Sequence, residues 1–310
     1  MAEAGRRLRL RVPCKINLYL EVVGRRPDGY HELRTVMQAV SLFDELELAP
    51  REDAAITLAC SDPGVPSGED NLVLRAARLL QGRRGVRQGA DVVLRKTIPI
   101  GGGLGGGSAD AAIALLGLAN LWGLEAGREE LTELAAAVGS DVAFFLSGGT
   151  ALCEGRGERV RRVPCGAEFH YVLVAPPCSV STRAVYAALP GGLTSQADTS
   201  TKVLDAVGCG DSAALGRCLR NDLQSAALGL HGQLRELWER LEEFGRTGET
   251  DGFLLCGSGA GFFGVVRNGA AAARAAGRLQ AALGVPCRAV RSLPSWDFDC
   301  SILASGRALG

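Results

Sequence analysis

Residues 99–110 read PIGGGLGGGSAD and are the stretch that decides the fold. Six of the seven residues from 101 to 107 are glycine, and the strand-like segment ADVVLRK precedes them at 90–96. The alanine-rich segment that follows at 111–122 predicts a helix. Backbone amides approach phosphate closely only where side chains are absent, and a helix N-terminus adds free amides and a positive dipole end. The stretch therefore predicts a polyphosphate site, in which Ser108 either caps the helix or reaches a phosphate-bound metal.

Other glycine-rich motifs fit this stretch less well. Gly101-x-Gly103-x-x-Gly106 matches the dinucleotide fingerprint, but that motif belongs to a first βαβ unit with an acid at a later strand end. Here about a hundred residues precede the loop, and Glu125 follows a predicted helix. A Walker A loop ends in Gly-Lys-Ser/Thr, whereas this one ends in Gly-Ser-Ala, and no protein-kinase HRD or DFG set occurs. A glycine-rich turn without a ligand stays an alternative.

Three polar residues stand out in other segments. Lys15 and Asn17 in PCKINL lie two residues apart on a predicted strand, which puts both side chains on one face. Asp141 in AAAVGSDVAFF is either a helix cap or a functional carboxylate. Lysine occurs only at 15, 96 and 202 among 34 basic residues, so these positions are candidates for a compact ammonium. A second glycine-rich segment, CGSGAGFF at 256–263, is either a further loop of the site or a tight hairpin.

The composition excludes several classes of function. The 310 residues carry no formal net charge, so neither nucleic acid nor a membrane is expected as a partner. With 47% hydrophobic residues, the chain can bury the core of one large or two medium domains. Ten cysteines occur without a C-x-x-C pair, and the N-terminus has no apolar leader segment. We therefore expect reduced cysteines and a cytoplasmic protein.

Strands and helices are predicted in both halves of the chain, which favours an α+β or α/β class. The predicted strands cover 8–24, 33–48, 54–60, 90–96, 169–175 and 286–292, with strand-like runs around the segment at 254–266. The predicted helices cover 71–81, 111–122, 128–138, 201–207, 229–243 and 269–283. A polar segment at 155–168 indicates a boundary, so residues 1–160 and 161–310 are predicted as two domains. A polar loop is expected at 190–200.

Taken together, the motifs resemble the GHMP kinase superfamily of small-molecule kinases. Their order is a P-x-K-x-N-L strand, the P-x-G-G-G-L-G-G-G-S loop, a G-x-D-V-x-F-F segment and a late G-S-G loop, between about residues 12 and 265. Within the superfamily, GRRPDGYHEL joined to GGGLGGGSADAA resembles the kinases that act on a cytidine diphosphate-linked methylerythritol. The resemblance implies an α+β fold with an S5-like N-terminal domain, a ferredoxin-like C-terminal domain and a site between them.

The resemblance also implies that ATP is the phosphoryl donor and that Mg²⁺ bridges its oxygens, without a dedicated protein carboxylate cage for the metal. Asn71 and Lys96 match positions near the adenosine end of the nucleotide. The loop that would hold the phosphates consists of Pro99, Ile100, Gly101, Gly102, Gly103, Leu104, Gly105, Gly106, Gly107, Ser108 and Ala109.

Lys15 and Asp141 match the catalytic pair of the family. Asp141 would accept the proton of the attacking hydroxyl, and Lys15 would neutralise charge on the attacking oxygen and the phosphate. The substrate positions of the family match Asn17, Tyr30, His31 and Tyr186, of which the aromatic members face cytidine. The implied reaction is phosphorylation of the 2-hydroxyl of the methylerythritol substrate in the synthesis of isoprenoid precursors.

Three other functions stay open at this point. Another kinase of the superfamily, or its diphosphomevalonate decarboxylase, would share the glycine loop but lack GRRPDGYHEL. A nucleotide-binding module without catalysis would have no need of both Lys15 and Asp141. A dinucleotide oxidoreductase would bind NADH through the same glycines.

Overall fold

The computed structural model describes residues 7–190 and 199–296, so most of the predicted loop at 190–200 lies outside the described residues. The strands are β1 (Leu8–Arg25), β2 (His31–Arg51), β3 (Ile56–Cys60), β4 (Gly89–Arg95), β5 (Thr150–Gly155), β6 (Arg159–Arg162), β7 (His170–Val174), β8 (Arg220–Asn221), β9 (Gly252–Leu255), β10 (Phe262–Val266) and β11 (Cys287–Arg291). The helices are α1 (Leu72–Arg84), α2 (Gly106–Leu121), α3 (Arg128–Val138), α4 (Val142–Ser147), α5 (Thr182–Ala187), α6 (Ser200–Cys209), α7 (Ser212–Cys218), α8 (Gln224–Leu230), α9 (Gly232–Gly245) and α10 (Gly269–Leu283).

A sheet of seven strands, counted over the described residues, is built around the long antiparallel pair β1 and β2. The strand order is β3-β4-β2-β1-β8, and β5 pairs with both β2 and β6. Lys15 lies opposite Ala39 and Asn17 opposite Met37 in the register of this pair. The register shifts on both sides of these positions, between Pro13 and Cys14 and between 17 and 19. Such irregularities re-aim side chains locally and are common next to active sites.

Helix α2 lies closely on this sheet and fixes where the glycine loop ends. Half of its 16 residues are buried alanine, leucine or glycine, as expected of a helix enclosed on most sides. A Cβ at Gly117 would strike the Cδ1 atoms of Leu10 and Leu48, so glycine lets the helix approach the strands closely. The core of this half joins α1, α2, α3 and α4 to one face of the sheet.

The second sheet is antiparallel and has the order β11-β7-β10-β9. Numbered along the chain, its strands follow the order 4-1-3-2, the arrangement of a ferredoxin-like domain. Helices α9 and α10 pack on it through leucine and alanine side chains. The apolar residues of α10 recur with helical periodicity, and Asn268 caps the helix. The sequence therefore predicts this helix correctly at 269–283.

The two sheets share a core, and a short strand from the second half of the chain belongs to the first sheet. Residues of β1 such as Ile16 and Leu18 pack in one cluster with Tyr171 and Phe263 of the second sheet. The two-residue strand β8 comes from the second half of the chain and pairs in parallel with β1 at Tyr19 and Leu20. The polar segment at 155–168, predicted as a domain boundary, contains β6, which pairs with β5. This packing places the late glycine-rich segment beside the strand that carries Lys15.

Candidate active site

The glycine loop (residues 99–108) has its carbonyl groups bound to other parts of the chain. The Gly101 carbonyl accepts a hydrogen bond from the Ala260 amide at 3.0 Å, and the Gly102 carbonyl accepts one from the Gly261 amide at 3.1 Å. Residues 256–261, the second glycine loop, therefore lie directly against the first. Both glycine-rich segments that the sequence singled out meet in one place.

Alternate glycines give the glycine loop its shape. Gly101, Gly103 and Gly105 have φ of +71°, +72° and +71°, a region that residues with a Cβ rarely adopt. A Cβ at Gly103 would also strike the carbonyl oxygen of Cys256. Among the backbone hydrogen bonds of turns, loops and caps in the described residues, none has an amide of residues 101–108 as its donor. These amides are available to an anion such as phosphate.

Helix α2 begins earlier than the sequence predicts. Gly105 is its N-cap and Gly106 its first residue, so Ser108 lies within the first turn. Of the two roles that the sequence left open for Ser108, the helix cap is therefore wrong. The sequence did not predict this start because glycine has a low helix propensity. Packing of α2 on the sheet overrides that propensity. The first-turn amides, including that of Gly107, have no partner within the helix, and Ser108 is among the residues that line a large cavity.

A small cavity of about 190 Å³ lies on one side of the glycine loop. Asn71 and Lys96, which the sequence predicts near the adenosine end of the nucleotide, both line it. Nine of the predicted phosphate-binding residues also line it: Pro99, Ile100, Gly101, Gly102, Gly103, Leu104, Gly105, Gly106 and Gly107. Ala109 is fully buried beneath the loop and contributes to the core instead.

Asn71 is held rigidly at the wall of the small cavity because it caps α1. Its Oδ1 accepts a hydrogen bond from the Val73 amide at 2.8 Å, and its Nδ2 donates one to the Pro66 carbonyl at 2.7 Å. Such a cap satisfies one of the unpaired amides of the first helical turn. One Nδ2 hydrogen and one Oδ1 lone pair remain for a ligand.

The ammonium of Lys96 is bound by two carboxylates that sequence reasoning missed. Its Nζ forms ion pairs with Asp44 and, at 2.7 Å, with Asp110. Asp44 also accepts hydrogen bonds from the amides of Thr97 and Ile98, at 2.5 and 2.8 Å. An acid in the buried alanine-rich helix α2 was a usable signal for Asp110. The alternating strand around Asp44 gave none.

Burial dominates the electrostatics of this cluster. It raises the pKa of Asp110 to about 7, opposed by the Lys96 charge and reinforced by the charge of Asp44. Burial alone would lower the pKa of Lys96, but the charges of Asp110 and Asp44 raise it. The Oδ1 atom of Asp110 has no hydrogen-bond partner in the described structure. The cluster is thus a charged anchor below the start of the glycine loop and α2.

Lys15 and Asp141 meet although they lie far apart in the sequence. Lys15 Nζ is 3.4 Å from Asp141 Oδ2, and it donates a hydrogen bond to Asn17 Oδ1 at 2.7 Å. The Lys15 amide donates to the Leu104 carbonyl of the glycine loop at 2.9 Å. Asn17 Nδ2 in turn donates to Thr35 Oγ1 at 2.9 Å, which fixes the amide orientation. The predicted pair therefore lies against the predicted phosphate loop.

Asp141 occupies a helix start without acting as a cap through its side chain. It is the N-cap residue of α4, yet its carboxylate accepts no cap hydrogen bond. The side chain is 30% exposed, whereas that of Lys15 is only 4% exposed. Of the two readings of Asp141 that the sequence left open, the structure favours an available carboxylate over a helix cap.

The aromatic residues predicted for the substrate form a second cluster. The rings of His31 and Tyr186 are stacked, with centroids 4.9 Å apart and planes at 26°. Tyr30 is 56% exposed, and the Arg156 guanidinium carbon lies 5.1 Å from its ring centroid. Partial burial, and then the charge of Arg25, lower the pKa of His31, so its imidazole is neutral at pH 7. A neutral imidazole offers one donor and one acceptor to a base.

One large cavity, of about 1330 Å³, connects the catalytic pair to the aromatic cluster. Its lining includes all the predicted substrate and catalytic side chains: Lys15, Asn17, Tyr30, His31, Asp141 and Tyr186. Ser108 and the second glycine loop also line it, and glycines of the first loop separate it from the small cavity. The described residues contain no group of three or more His, Cys, Asp or Glu side chains that could hold a metal ion.

The sequence matches two parts of one known family. Residues 71–149 match the GHMP kinases N terminal domain, and residues 203–284 match the GHMP kinases C terminal domain. A curated relative from Pelotomaculum thermopropionicum, named 4-diphosphocytidyl-2-C-methyl-D-erythritol kinase, is 44% identical over 86% of this chain and 91% of its own length. The chain belongs to the GHMP kinase family. A relative of the same name from Streptomyces avermitilis is 42% identical over 81% of this GHMP kinase and 84% of its own length.

Solved structures agree with this assignment. A crystal structure of 4-(cytidine 5'-diphospho)-2C-methyl-D-erythritol kinase is 34% identical, covers 92% of this GHMP kinase and 99% of its own chain, and gives a TM-score of 0.78. A homoserine kinase from Cytophaga hutchinsonii gives a TM-score of 0.73 at 18% identity, a likeness of fold alone. The family expectation made from the motifs is confirmed, and with it the two-domain α+β fold and the class of small-molecule kinase. Within the described residues, none of the helices is both long and apolar enough to cross a membrane.

Proposed function

We propose that this GHMP kinase transfers the γ-phosphoryl group of ATP to the 2-hydroxyl of 4-diphosphocytidyl-2-C-methyl-D-erythritol, giving the 2-phosphate and ADP. The reaction would serve the non-mevalonate synthesis of isoprenoid precursors. The observation that carries the proposal is the 3.4 Å approach of Lys15 Nζ to Asp141 Oδ2 in a cavity lined by both the glycine loop and the aromatic cluster. The names of the relatives supply the substrate.

The catalytic step follows from the positions of the two side chains. Asp141 is exposed enough to accept the proton of the attacking hydroxyl, whose oxygen then forms the bond to phosphorus while ADP leaves. Lys15 is close enough to neutralise charge on the attacking oxygen and the transferred group. Asn17 holds the ammonium in place through its 2.7 Å hydrogen bond and would contact the substrate from the same strand face.

The nucleotide would extend across the glycine loop. The free amides of residues 101–108 would bind its phosphates, and Asn71 and Lys96 would line the adenosine end in the small cavity. Two carboxylates bind two of the three N–H groups of the Lys96 ammonium, so only one N–H remains to donate to the nucleotide. Mg²⁺ fits this site because phosphate oxygens and water supply most of its ligands, with the Ser108 hydroxyl as a protein oxygen nearby. When bound, the metal would neutralise phosphate charge.

The other end of the large cavity suits a cytidine diphosphate. Tyr30 offers an open aromatic face, and neutral His31 can donate and accept at a base edge. Tyr186 stacks on His31 and fixes its ring plane. Arg25, Arg156 and Arg183 also line this cavity, and their guanidinium groups complement a diphosphate.

We expect a reducing compartment such as the cytosol, because the nine cysteines of the described residues are all unpaired.

An ATP-coupled assay on the purified protein tests the proposal. ADP release should depend on 4-diphosphocytidyl-2-C-methyl-D-erythritol, and mass spectrometry should find one added phosphate on that substrate. Mevalonate and homoserine serve as controls and should give background rates. Turnover with either control alone would assign the chain to another GHMP kinase activity, and ATP binding without turnover on any alcohol would make it a binding module. NADH binding in a fluorescence titration would revive the dinucleotide alternative.

A further inference from the structure

Residues 221–224 join the strand that carries Lys15 to the second glycine loop. Asn221 is part of β8 and pairs in parallel with Leu20 of β1. The next residue, Asp222, donates its amide to the Leu20 carbonyl at 2.9 Å and accepts the Val22 amide on Oδ2 at 2.9 Å. The segment is therefore fixed to the N-terminal sheet although it comes from the second half of the chain.

The side chain of Asn221 uses both of its donor hydrogens, one on the second glycine loop and one on the end of β9 that leads into it. Nδ2 donates to the Leu255 carbonyl at 2.9 Å and to the Gly257 carbonyl at 2.7 Å, while Oδ1 accepts the Leu223 amide at 2.9 Å. Asn221 is only 8% exposed. Gln224 adds a third link, because its Oε1 accepts the Leu255 amide at 2.9 Å. A side-chain amide has two donor hydrogens, and here neither is left for water.

Gly257 lies directly against the catalytic lysine. A Cβ built on it would be 3.4 Å from Lys15 Nζ, 3.6 Å from Asn17 Oδ1 and 3.3 Å from the Gly103 carbonyl oxygen. Packing this close means that a small movement of the Gly257 backbone displaces either the ammonium or the glycine loop.

The orientation of one peptide group depends on this contact. The peptide between Gly257 and Ser258 is trans, so its carbonyl and its N–H point in opposite directions. Because Asn221 holds the carbonyl, the Ser258 amide points to the other side. Ser258 lines the large cavity together with Lys15 and Asp141. Within the described residues, the Ser258 amide is the donor of no backbone hydrogen bond of a turn, loop or cap.

We propose that Asn221 is a positioning residue for phosphoryl transfer. By holding the Gly257 carbonyl, it turns the Ser258 amide toward the phosphate oxygens that would lie between Lys15 and Asp141. An amide fixed in advance at that point stabilises the charge that develops on the transferred group. This inference rests on the proposed function, since it requires a phosphoryl group in that cavity.

Asn221→Asp tests the proposal because it keeps the shape of the side chain. It replaces the two donor hydrogens by an oxygen that faces two carbonyl oxygens. We expect kcat to fall about 100-fold, the effect of misplacing a site by about 1 Å, while KM for ATP and for the substrate each change less than about threefold. Amide hydrogen exchange measured on peptides covering 253–262 should become faster, because the loop loses its clamp.

Asn268→Asp is the matched control. Asn268 caps α10 by accepting the Ala271 amide on Oδ1 at 2.9 Å, and aspartate caps a helix equally well. Its kcat and its exchange in 253–262 should equal those of the wild type.

The outcomes separate this inference from the proposed function. The role of Asn221 is overturned if the wild type is active and the kcat of Asn221→Asp lies within about threefold of the wild-type value. It is also overturned if amide exchange in 253–262 is unchanged in the variant. A fall in rate that only follows the folded fraction in a thermal melt also overturns it. If Asn221→Asp does not fold, Asn221→Ala replaces it, because alanine removes the two donors without adding a charge. The results expected of Asn221→Ala, and those that would overturn the role of Asn221, are the same as for Asn221→Asp. An inactive wild type whose loop still exchanges faster in the variant overturns the proposed function alone.

Discussion

Two buried lysines flank the glycine loop, and their surroundings differ. Lys15 is paired with one carboxylate, Asp141, whose side chain is 30% exposed. Lys96 is paired with Asp44 and Asp110, whose side chains are 0% and 2% exposed. The first pair opens into the large cavity, whereas the two carboxylates of the second are almost completely buried beside the small cavity. A carboxylate that solvent and substrate can reach is able to exchange a proton, and an enclosed one anchors structure.

The difference teaches that residue type alone does not assign a role at this site. Both lysines came from the same reasoning about rare lysine in an arginine-rich chain, and both line a cavity beside the loop. Only the partners of each ammonium separate the catalytic role that we propose for Lys15 from a mainly structural one for Lys96. Substitutions in the two groups should therefore affect different measurements, the rate in one case and stability in the other.

The largest expected effect is the loss of turnover in Asp141→Asn. Without the carboxylate, no group at this point accepts the hydroxyl proton, so kcat should fall about 10²–10⁴-fold, while ATP binding measured by calorimetry stays near that of the wild type. Asp211→Asn is the matched control, because Asp211 caps α7 through the Ala214 amide and asparagine caps equally well. Turnover of Asp141→Asn near the wild-type rate would remove Asp141 as the base.

Lys96→Met should have the next largest effect, on stability. It leaves two buried carboxylates without a cation, which costs about 3–5 kcal/mol when one partner of a buried pair is removed. Lys15→Met is the matched control and should cost less than half as much, because Asp141 remains partly solvated. Urea denaturation gives both free energies of unfolding. Equal losses in the two variants would contradict the distinction between the two lysines.

Tyr30→Ala should act on substrate binding rather than on either lysine. The loss of a base-stacking ring is worth about 1–3 kcal/mol, roughly a 5–150-fold rise in KM for the cytidylyl substrate, with KM for ATP unchanged. Tyr30→Phe keeps the ring and should behave like the wild type. An unchanged KM in Tyr30→Ala, measured by initial rates, would contradict the stacking role.

The smallest expected signal is the pH dependence of the Lys96 cluster. Burial raises the pKa of Asp110 from 3.8 to about 7, so between these values the folded protein holds a proton that the unfolded chain releases. The stabilising contribution of Asp110 is therefore complete below about pH 4 and lost as pH rises toward 7. The free energy of unfolding of the wild type minus that of Asp110→Asn should decrease over this range. A difference that stays constant or increases over this range would show that the carboxyl is ionised throughout.

Much of the fold could be predicted because local patterns and tertiary packing agree. The alternation in β1 and the apolar periodicity of α3 and α10 placed these elements nearly at their observed bounds. The short elements α4, α5, α7, α8, β5, β6 and β8 were missed, since four to seven residues carry too little periodicity and two residues carry none.

The site was predictable where a motif carries its own chemistry. The glycine loop was recognisable from its run of glycines between a predicted strand and a predicted helix. Lys15 and Asn17 lie two residues apart on one strand face, so their contact follows from the period of two. The partners of Lys96 were not predictable from spacing, because Asp44 and Asp110 lie on different elements and only the packing of α2 on the sheet brings them together. The same holds for Asn221, which reaches the site through a strand of two residues.

The central claim is that an ammonium and a carboxylate meet at the terminal phosphate of a nucleotide held by free backbone amides. A crystal structure of the complex with a non-hydrolysable ATP analogue and 4-diphosphocytidyl-2-C-methyl-D-erythritol tests it most directly. The account predicts that the substrate 2-hydroxyl lies within hydrogen-bond reach of the Asp141 carboxylate and that Lys15 Nζ contacts the γ-phosphate. A γ-phosphate bound away from both side chains, with the glycine loop amides facing solvent, would contradict it.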